Sequence, residues 1–177
     1  MVNGNNVPGR VLLVGFMASG KSSVGKELAS RLGWDFQDFD PVIEARAGKS
    51  VSRIFAEDGE VEFRRLESGV AQELLARSDT VVASGGGWPA QPGSWKVVPE
   101  DTLSIWLRVS PEVAVRRASA EGSTRPLLDG EDATDRATAL LIAREASYRR
   151  ARYSLDSEQY GPVELAGEIL NLMVPAR

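Results

Sequence analysis

The chain contains no cysteine and no histidine. Those two absences remove disulfides, thiolate nucleophiles, Cys/His zinc sites and imidazole acid–base catalysis together. Any general base must be a carboxylate, a lysine or a tyrosine. Any metal must be a hard cation held by oxygen, which suits Mg²⁺. Also missing is any apolar run approaching the length of a membrane span, so no membrane partner is expected. Residues 1–10 are polar and lack the hydrophobic centre of a signal peptide. Residues 1–9 read as a flexible leader, and the cytoplasm is the expected compartment. A net charge of −4 leaves no broad basic surface for nucleic acid. No internal repeat and no long linker divides the 177 residues, which suit one domain with a real core.

What is present is organised around Gly15 to Ser22, Gly-Phe-Met-Ala-Ser-Gly-Lys-Ser. It fits the phosphate-loop pattern Gly-x4-Gly-Lys-[Ser/Thr]. The apolar run Val11 to Val14 precedes it and reads as a buried strand. Val24, Leu28 and Leu32 follow at four-residue spacing and read as a helix face. Gly15 and Gly20 permit a tight turn whose N–H groups face a polyphosphate, and the helix beginning near Lys21 adds its positive end. Lys21 reaches the β- and γ-phosphates, and the Ser22 hydroxyl sits on Mg²⁺. The bland alternative is a glycine-rich turn that binds nothing.

Gly33 is the expected helix C-cap. Residues 34–40 alternate as a short second strand with Asp38 and Asp40 on one side. Both carboxylates then lie at a strand's C-terminal end, where open α/β sheets bind ligands. One suits Mg²⁺ and the other a substrate hydroxyl; alternatively Asp40 only caps the next helix, since Asp-Pro is a good helix start. Residues 40–77 read as broken helices, with breaks at Gly48 and Gly59 and an apolar face of Phe63, Leu66, Val70 and Leu74. Arg64 and Glu67 share another face at pairing distance; Arg64-Arg65 also reads as ordinary solvated surface. This insert is where substrate choice is built. Thr80 to Ala83 is a third strand ending in Ser84-Gly85-Gly86-Gly87, either a flexible turn or backbone N–H groups laid against a ligand. Trp88, Pro89, Pro92 and Trp95 fall in a loop. Leu103 to Val109 is a fourth strand, and Ser110-Pro111-Glu112 starts a helix. Residues 121–135 break periodicity around Arg125 and suit a lid. A helix from Asp135 to about Arg152 places Leu140, Arg144 and Tyr148 on one face. Leu155-Asp156 and Val163 to Met173 are a last strand and a closing helix.

Taken in order, these segments resemble the shikimate kinase family, within the P-loop nucleoside-monophosphate-kinase-like fold. The resemblance runs from about Arg10 to Met173. It rests on residues 15–25, Asp-Phe-Asp at 38–40, Ile43-Glu44, residues 54–67 with Gly-Glu-x-x-Phe-Arg, Ser-Gly-Gly-Gly at 84–87, Arg-Pro-Leu-Leu at 125–128, and Arg144 to Tyr148. It implies a three-layer α/β/α fold around a five-stranded parallel sheet of order 2-3-1-4-5. It implies ATP- and Mg²⁺-dependent phosphorylation of the shikimate 3-hydroxyl by a monomer. By position, Gly15, Ala18, Ser19, Gly20, Lys21, Ser22 and Ser23 hold the nucleotide, with Ser22 and Asp38 at the metal. Asp40 meets the shikimate hydroxyls as candidate base. Arg64 and Arg144 grip its carboxylate, with Gly85, Gly86 and Gly87 lining the pocket. Arg125 is the lid arginine on the transferring phosphate, and Arg117 lies near the adenine. There are departures. Ala18 stands for a commoner glycine and Ser23 for a threonine. Trp88-Pro89 is bulky enough to reshape the acceptor pocket, and residues 157–162 match the adenine-side loop weakly, with Pro162 the residue suspected there. Two rivals follow: a kinase of another hydroxylated acid, or a nucleotide-binding module without catalysis.

Overall fold

The computed structural model describes residues 8–120 and 132–174. Five strands form one parallel sheet: β1 Arg10–Val14, β2 Asp35–Asp38, β3 Thr80–Ala83, β4 Thr102–Arg108 and β5 Tyr153–Asp156. Their order is β2-β3-β1-β4-β5, as the resemblance implied. β1, at the centre, is buried at every residue. Its run Val-Leu-Leu-Val has no polar alternation because both faces are covered. The edge strands β2 and β5 are short, more polar and partly exposed, which suits edges that must not recruit another chain.

Alternation along the strands divides the core in two. Val11, Leu13, Val81, Leu103, Ile105 and Leu107 face one way. They meet α1 (Lys21–Leu32) and α7 (Pro162–Met173), which bury Val24, Leu28, Leu165 and Ile169 against them. Leu12, Val14 and Val82 face the other way. There they meet residues of α2 (Phe39–Ala47), α3 (Val51–Glu57), α4 (Gly59–Leu75), α5 (Pro111–Ala120) and α6 (Ala133–Tyr148). Among the described residues no helix is long and apolar enough to cross a membrane.

Most boundaries follow local chemistry. α1 ends at Gly33 and α2 at Gly48, both left-handed with φ 67°, the C-cap conformation that glycine adopts without penalty. Ser50 caps α3 by accepting the Arg53 N–H. α6 begins at Ala133 and β5 at Tyr153, each two residues before expectation, and three further differences bear on the site. β2 stops at Asp38, and Phe39 and Asp40 already belong to α2. The Asp38 carboxylate caps that helix by accepting the Asp40 N–H at 3.4 Å, so the cap is Asp38 and not Asp40. Residues 88–97 are ordered into two 3-10 turns, Trp88–Ala90 and Ser94–Val97. α6 ends at Tyr148, four residues early. There Tyr148 is drawn fully into the core while Arg149 stays exposed.

Candidate active site

Strand register brings the site to one edge. Asp38 pairs with Ala83, Ala83 with Leu13, and Leu13 with Ile105, so four strands reach the same level. Beyond that row lie Asp40, the triple-glycine loop and the phosphate loop, all at the carboxyl ends of the strands.

The phosphate-loop side is mostly main chain. Gly15 has φ 146°, and a methyl there would come within 2.5 Å of the Leu107 carbonyl oxygen. Gly20 has φ 88° and precedes the first turn of α1. Ala18 has φ 57°, a left-handed conformation that disfavours a β-carbon and suits the glycine expected there from the resemblance. Ser19 is fully buried. Lys21 Nζ donates to the carbonyls of Gly15 and Phe16 at 3.0 and 2.8 Å, with Ser19 Oγ at 3.4 Å. Ser23 follows on the exposed side of α1. Arg117, on α5, closes the far end of the loop. It donates to the Ala18 carbonyl at 3.4 Å and to the Ser157 carbonyl at 2.6 Å. Pro162 is the first residue of α7.

Ser22 Oγ donates to Asp38 Oδ2 at 2.5 Å, which joins α1 to the end of β2. This contact depends on the glycine three residues later. The α-carbon of Gly25 faces the Phe36 ring so closely that a β-carbon would overlap it. A hydroxyl and a carboxylate in contact are hard oxygen donors, as Mg²⁺ requires. Among the described residues no cluster of three carboxylates forms a closed metal site, so the remaining ligands would be phosphate oxygens and water, the usual Mg²⁺ arrangement in kinases.

Beside it is a cluster built from charged side chains. Arg64, on α4, donates to Glu67 at 2.7 Å and to Glu60 at 3.2 Å. Glu67 is 1% exposed, and its Oε1 has no hydrogen-bond partner among the described residues. Burial pushes its carboxyl above the usual range; Arg64 opposes that rise, Asp40 adds to it and Arg144 opposes it. Asp40, Arg64, Glu67 and Arg144 are therefore one electrostatic group. The glycines let it form. A β-carbon on Gly85 would collide with Glu67 Oε1, and one on Gly87 would lie 2.9 Å from an Arg64 nitrogen. Gly86 backs onto the phosphate loop, with the Met17 nitrogen 3.4 Å from where its β-carbon would be.

The structure thus brings together Asp40, Arg64, Arg144 and Gly85 to Gly87 on one side, and Gly15 to Ser22 with Asp38 on the other. Arg125 and most of the expected lid lie outside the described residues. Glu67 was expected only as a partner of Arg64. Its signal was its place at 63, 67, 70 and 74, a helical row that is otherwise Phe, Val and Leu. An acid on an apolar face is either paired or functional. Trp88 is 2% exposed and packs edge-on against Phe39, with ring centroids 5.4 Å apart. It walls a cavity of about 440 Å³ between α4 and the two 3-10 turns, beside Arg64 and Glu67. The bulk of Trp88 is thus spent on the core and on this cavity.

A phosphate loop closed by α1, beside a cluster suited to a small acid, on a 2-3-1-4-5 parallel sheet, defines a P-loop kinase of small molecules. The sequence model of the shikimate kinase family matches residues 17–174. The shikimate kinase of Moorella thermoacetica is 40% identical over 163 residues, covering 92% of this chain and 93% of that protein. That of Mycobacterium tuberculosis strain H37Ra is 39% identical over 169 residues, covering 94% and 95%. The shikimate kinase of Acinetobacter baumannii, solved in complex with shikimate, superposes with a TM-score of 0.88 at 34% identity over 95% of this chain and 94% of its own. A gluconokinase from Sinorhizobium meliloti shares the fold alone, at 19% identity and a TM-score of 0.56. The chain belongs to the shikimate kinase family.

Proposed function

We propose that this protein's phosphorylation of shikimate by ATP, the activity of its family, is carried by two half-sites that meet at Gly86. Supporting this most directly is the group of Asp40, Arg64, Glu67 and Arg144 beside the triple glycine, one strand away from the phosphate loop. Arg64 and Arg144 bind the shikimate carboxylate, whose planar pair of oxygens matches a guanidinium fork. Asp40 orients the 3-hydroxyl and accepts its proton as that oxygen bonds to the γ-phosphorus and the bond to ADP breaks. Lys21 and Arg125 balance the charge that spreads over the transferring phosphoryl group. Arg117, held at the Ser157 carbonyl, flanks the adenine. Ser22 and Asp38 would hold Mg²⁺, which would supply positive charge to neutralise the polyphosphate. A single domain of residues 1–177, with the insert at 40–77 choosing the acid and the lid at 121–135 excluding water, is part of the same reading. So are a monomeric state and a cytoplasmic location.

A coupled ADP-release assay with MgATP tests it. Shikimate is turned over at about 1–100 s⁻¹, as is usual for kinases, and quinate and gluconate have kcat/KM values at least about 100-fold lower, the weight of one mispositioned polar group. Equal turnover of gluconate would assign the site to another hydroxylated acid. No turnover of any of the three would favour a nucleotide-binding module.

A further inference from the structure

Tyr148 is the last residue of α6 and has no exposed surface. Its ring lies over that of Trp106 on β4, with centroids 5.9 Å apart and planes 29° from parallel. Its hydroxyl donates to the Gly86 carbonyl at 2.5 Å and is also hydrogen-bonded to the Arg144 side chain. The α-carbon of Gly86 faces the phosphate loop: a β-carbon there would lie 3.5 Å from the Gly15 carbonyl oxygen and 3.7 Å from the Phe16 carbonyl carbon. The middle glycine of the three is thus bonded to a phenol and faces the phosphate loop. Arg144 lies four residues before Tyr148, one turn away on the same face of α6. One rigid ring therefore touches the acceptor loop and shares its helix face with half of the carboxylate clamp.

We propose that Tyr148 is a positioning residue that sets the height of the Gly85–Gly87 loop relative to both the phosphate loop and Arg144, and so couples acid binding to nucleotide binding. This rests on the reading of Arg144 and the glycines as acceptor-binding. The argument is geometric. Three successive glycines have no side chains to hold them, so their position must come from main-chain bonds. A buried phenol on a stacked ring is a fixed donor that water cannot replace at zero exposure. Burial pushes the phenol pKa up to about 12, against the pull of Arg144, so the group remains a donor throughout the working pH range.

Tyr148→Phe keeps the ring and its stacking and removes only the hydroxyl. The expected result is a KM for shikimate about tenfold higher, the loss of about one buried hydrogen bond. The KM for ATP stays within twofold. Any gain in shikimate affinity that a non-hydrolysable ATP analogue gives the wild type is also reduced. A tyrosine that only fills the core would leave all three unchanged in the Phe variant. Trp106→Phe is the packing control: it lowers Tm and leaves the KM for shikimate alone. Gly86→Ala presses the same peptide from the phosphate-loop side at ordinary contact distances and is expected to raise the shikimate KM as well. An unchanged shikimate KM in both Tyr148→Phe and Gly86→Ala overturns the proposal. So does an equal rise in both substrates' KM that Trp106→Phe reproduces. Wild-type protein is run beside them. If it does not use shikimate, the acceptor reading fails and this one with it; if it does and the variants match it, only the role of Tyr148 fails.

Discussion

The two halves of the site are made of different material. The phosphate side is main chain: glycines in unusual conformations, buried carbonyls and a helix start, drawn from one contiguous stretch. The side proposed to take the acid is side chain: two arginines and two carboxylates from α2, α4 and α6, with Arg64 bonded to the buried Glu67. A polyphosphate is the same in every enzyme that uses ATP, so a fixed backbone cradle serves it. An acceptor differs from enzyme to enzyme, and side chains can be exchanged without refolding the cradle. The two materials should therefore fail in different ways.

The sharpest break is Gly15→Ala. Its β-carbon would enter the Leu107 carbonyl from a φ of 146°. Strain and clash together are on the order of 3–4 kcal/mol. ATP affinity should fall at least about 100-fold while shikimate binding without nucleotide stays within about threefold, both read by calorimetry. Loss of both together would mean that the halves are not separable.

Next come the two arginines, which separate recognition from stability. Arg64→Ala and Arg144→Ala are each expected to raise the KM for shikimate about 100-fold, the weight of a two-pronged charged contact. The KM for ATP should not follow. Unchanged shikimate kinetics in both would remove the clamp. Only Arg64→Ala should also lower stability, on the order of 2 kcal/mol by denaturant titration, because it strips the buried Glu67 of its partner.

The smallest effect is a pH slope. The Glu67 carboxyl is raised above its ordinary 4.5, chiefly by burial. The folded protein then holds that proton more tightly than the unfolded chain. Its contribution to stability is complete below pH 4.5 and is lost as pH climbs through the raised value. Glu67→Gln abolishes this titration. The wild type should lose stability relative to the variant as pH rises above 4.5, by about 1.4 kcal/mol for every tenfold by which folding tightens the hold on that proton. Parallel stability curves would show that Arg64 cancels the burial.

This difference in material also decided what was legible in the sequence. A backbone site needs particular residues at fixed spacing, so Gly15 to Ser22 could be read directly, as could the strand before it and the helix after it. β1 and the cap glycines were equally plain because each answers to a local rule. The acid site is assembled across more than one hundred positions, from Asp40 to Arg144. Periodicity supplied the elements, but the convergence of those residues rested on family resemblance. Glu67 stayed half-hidden because a buried acid looks like surface until its neighbours on the helix face are counted. Asp40 was placed on a strand because Asp-Phe-Asp alternates; the Asp38 side chain, by capping the helix, ended the strand two residues sooner. Tyr148 lay on the expected face, but nothing local showed that its hydroxyl would reach residue 86.

Gly25 illustrates how far a packing detail can travel. It touches no phosphate, yet its missing methyl lets helix α1 settle directly onto the ring of Phe36. Two residues further along that strand is Asp38, and one turn back on the helix is Ser22. The approach of the Ser22 and Asp38 oxygens is thus a matter of clearance between two surfaces well away from them. A machinist would call Gly25 a shim of zero thickness: any side chain inserted there meets the Phe36 ring and must push helix and sheet apart, although Ser22 and Asp38 keep their identity.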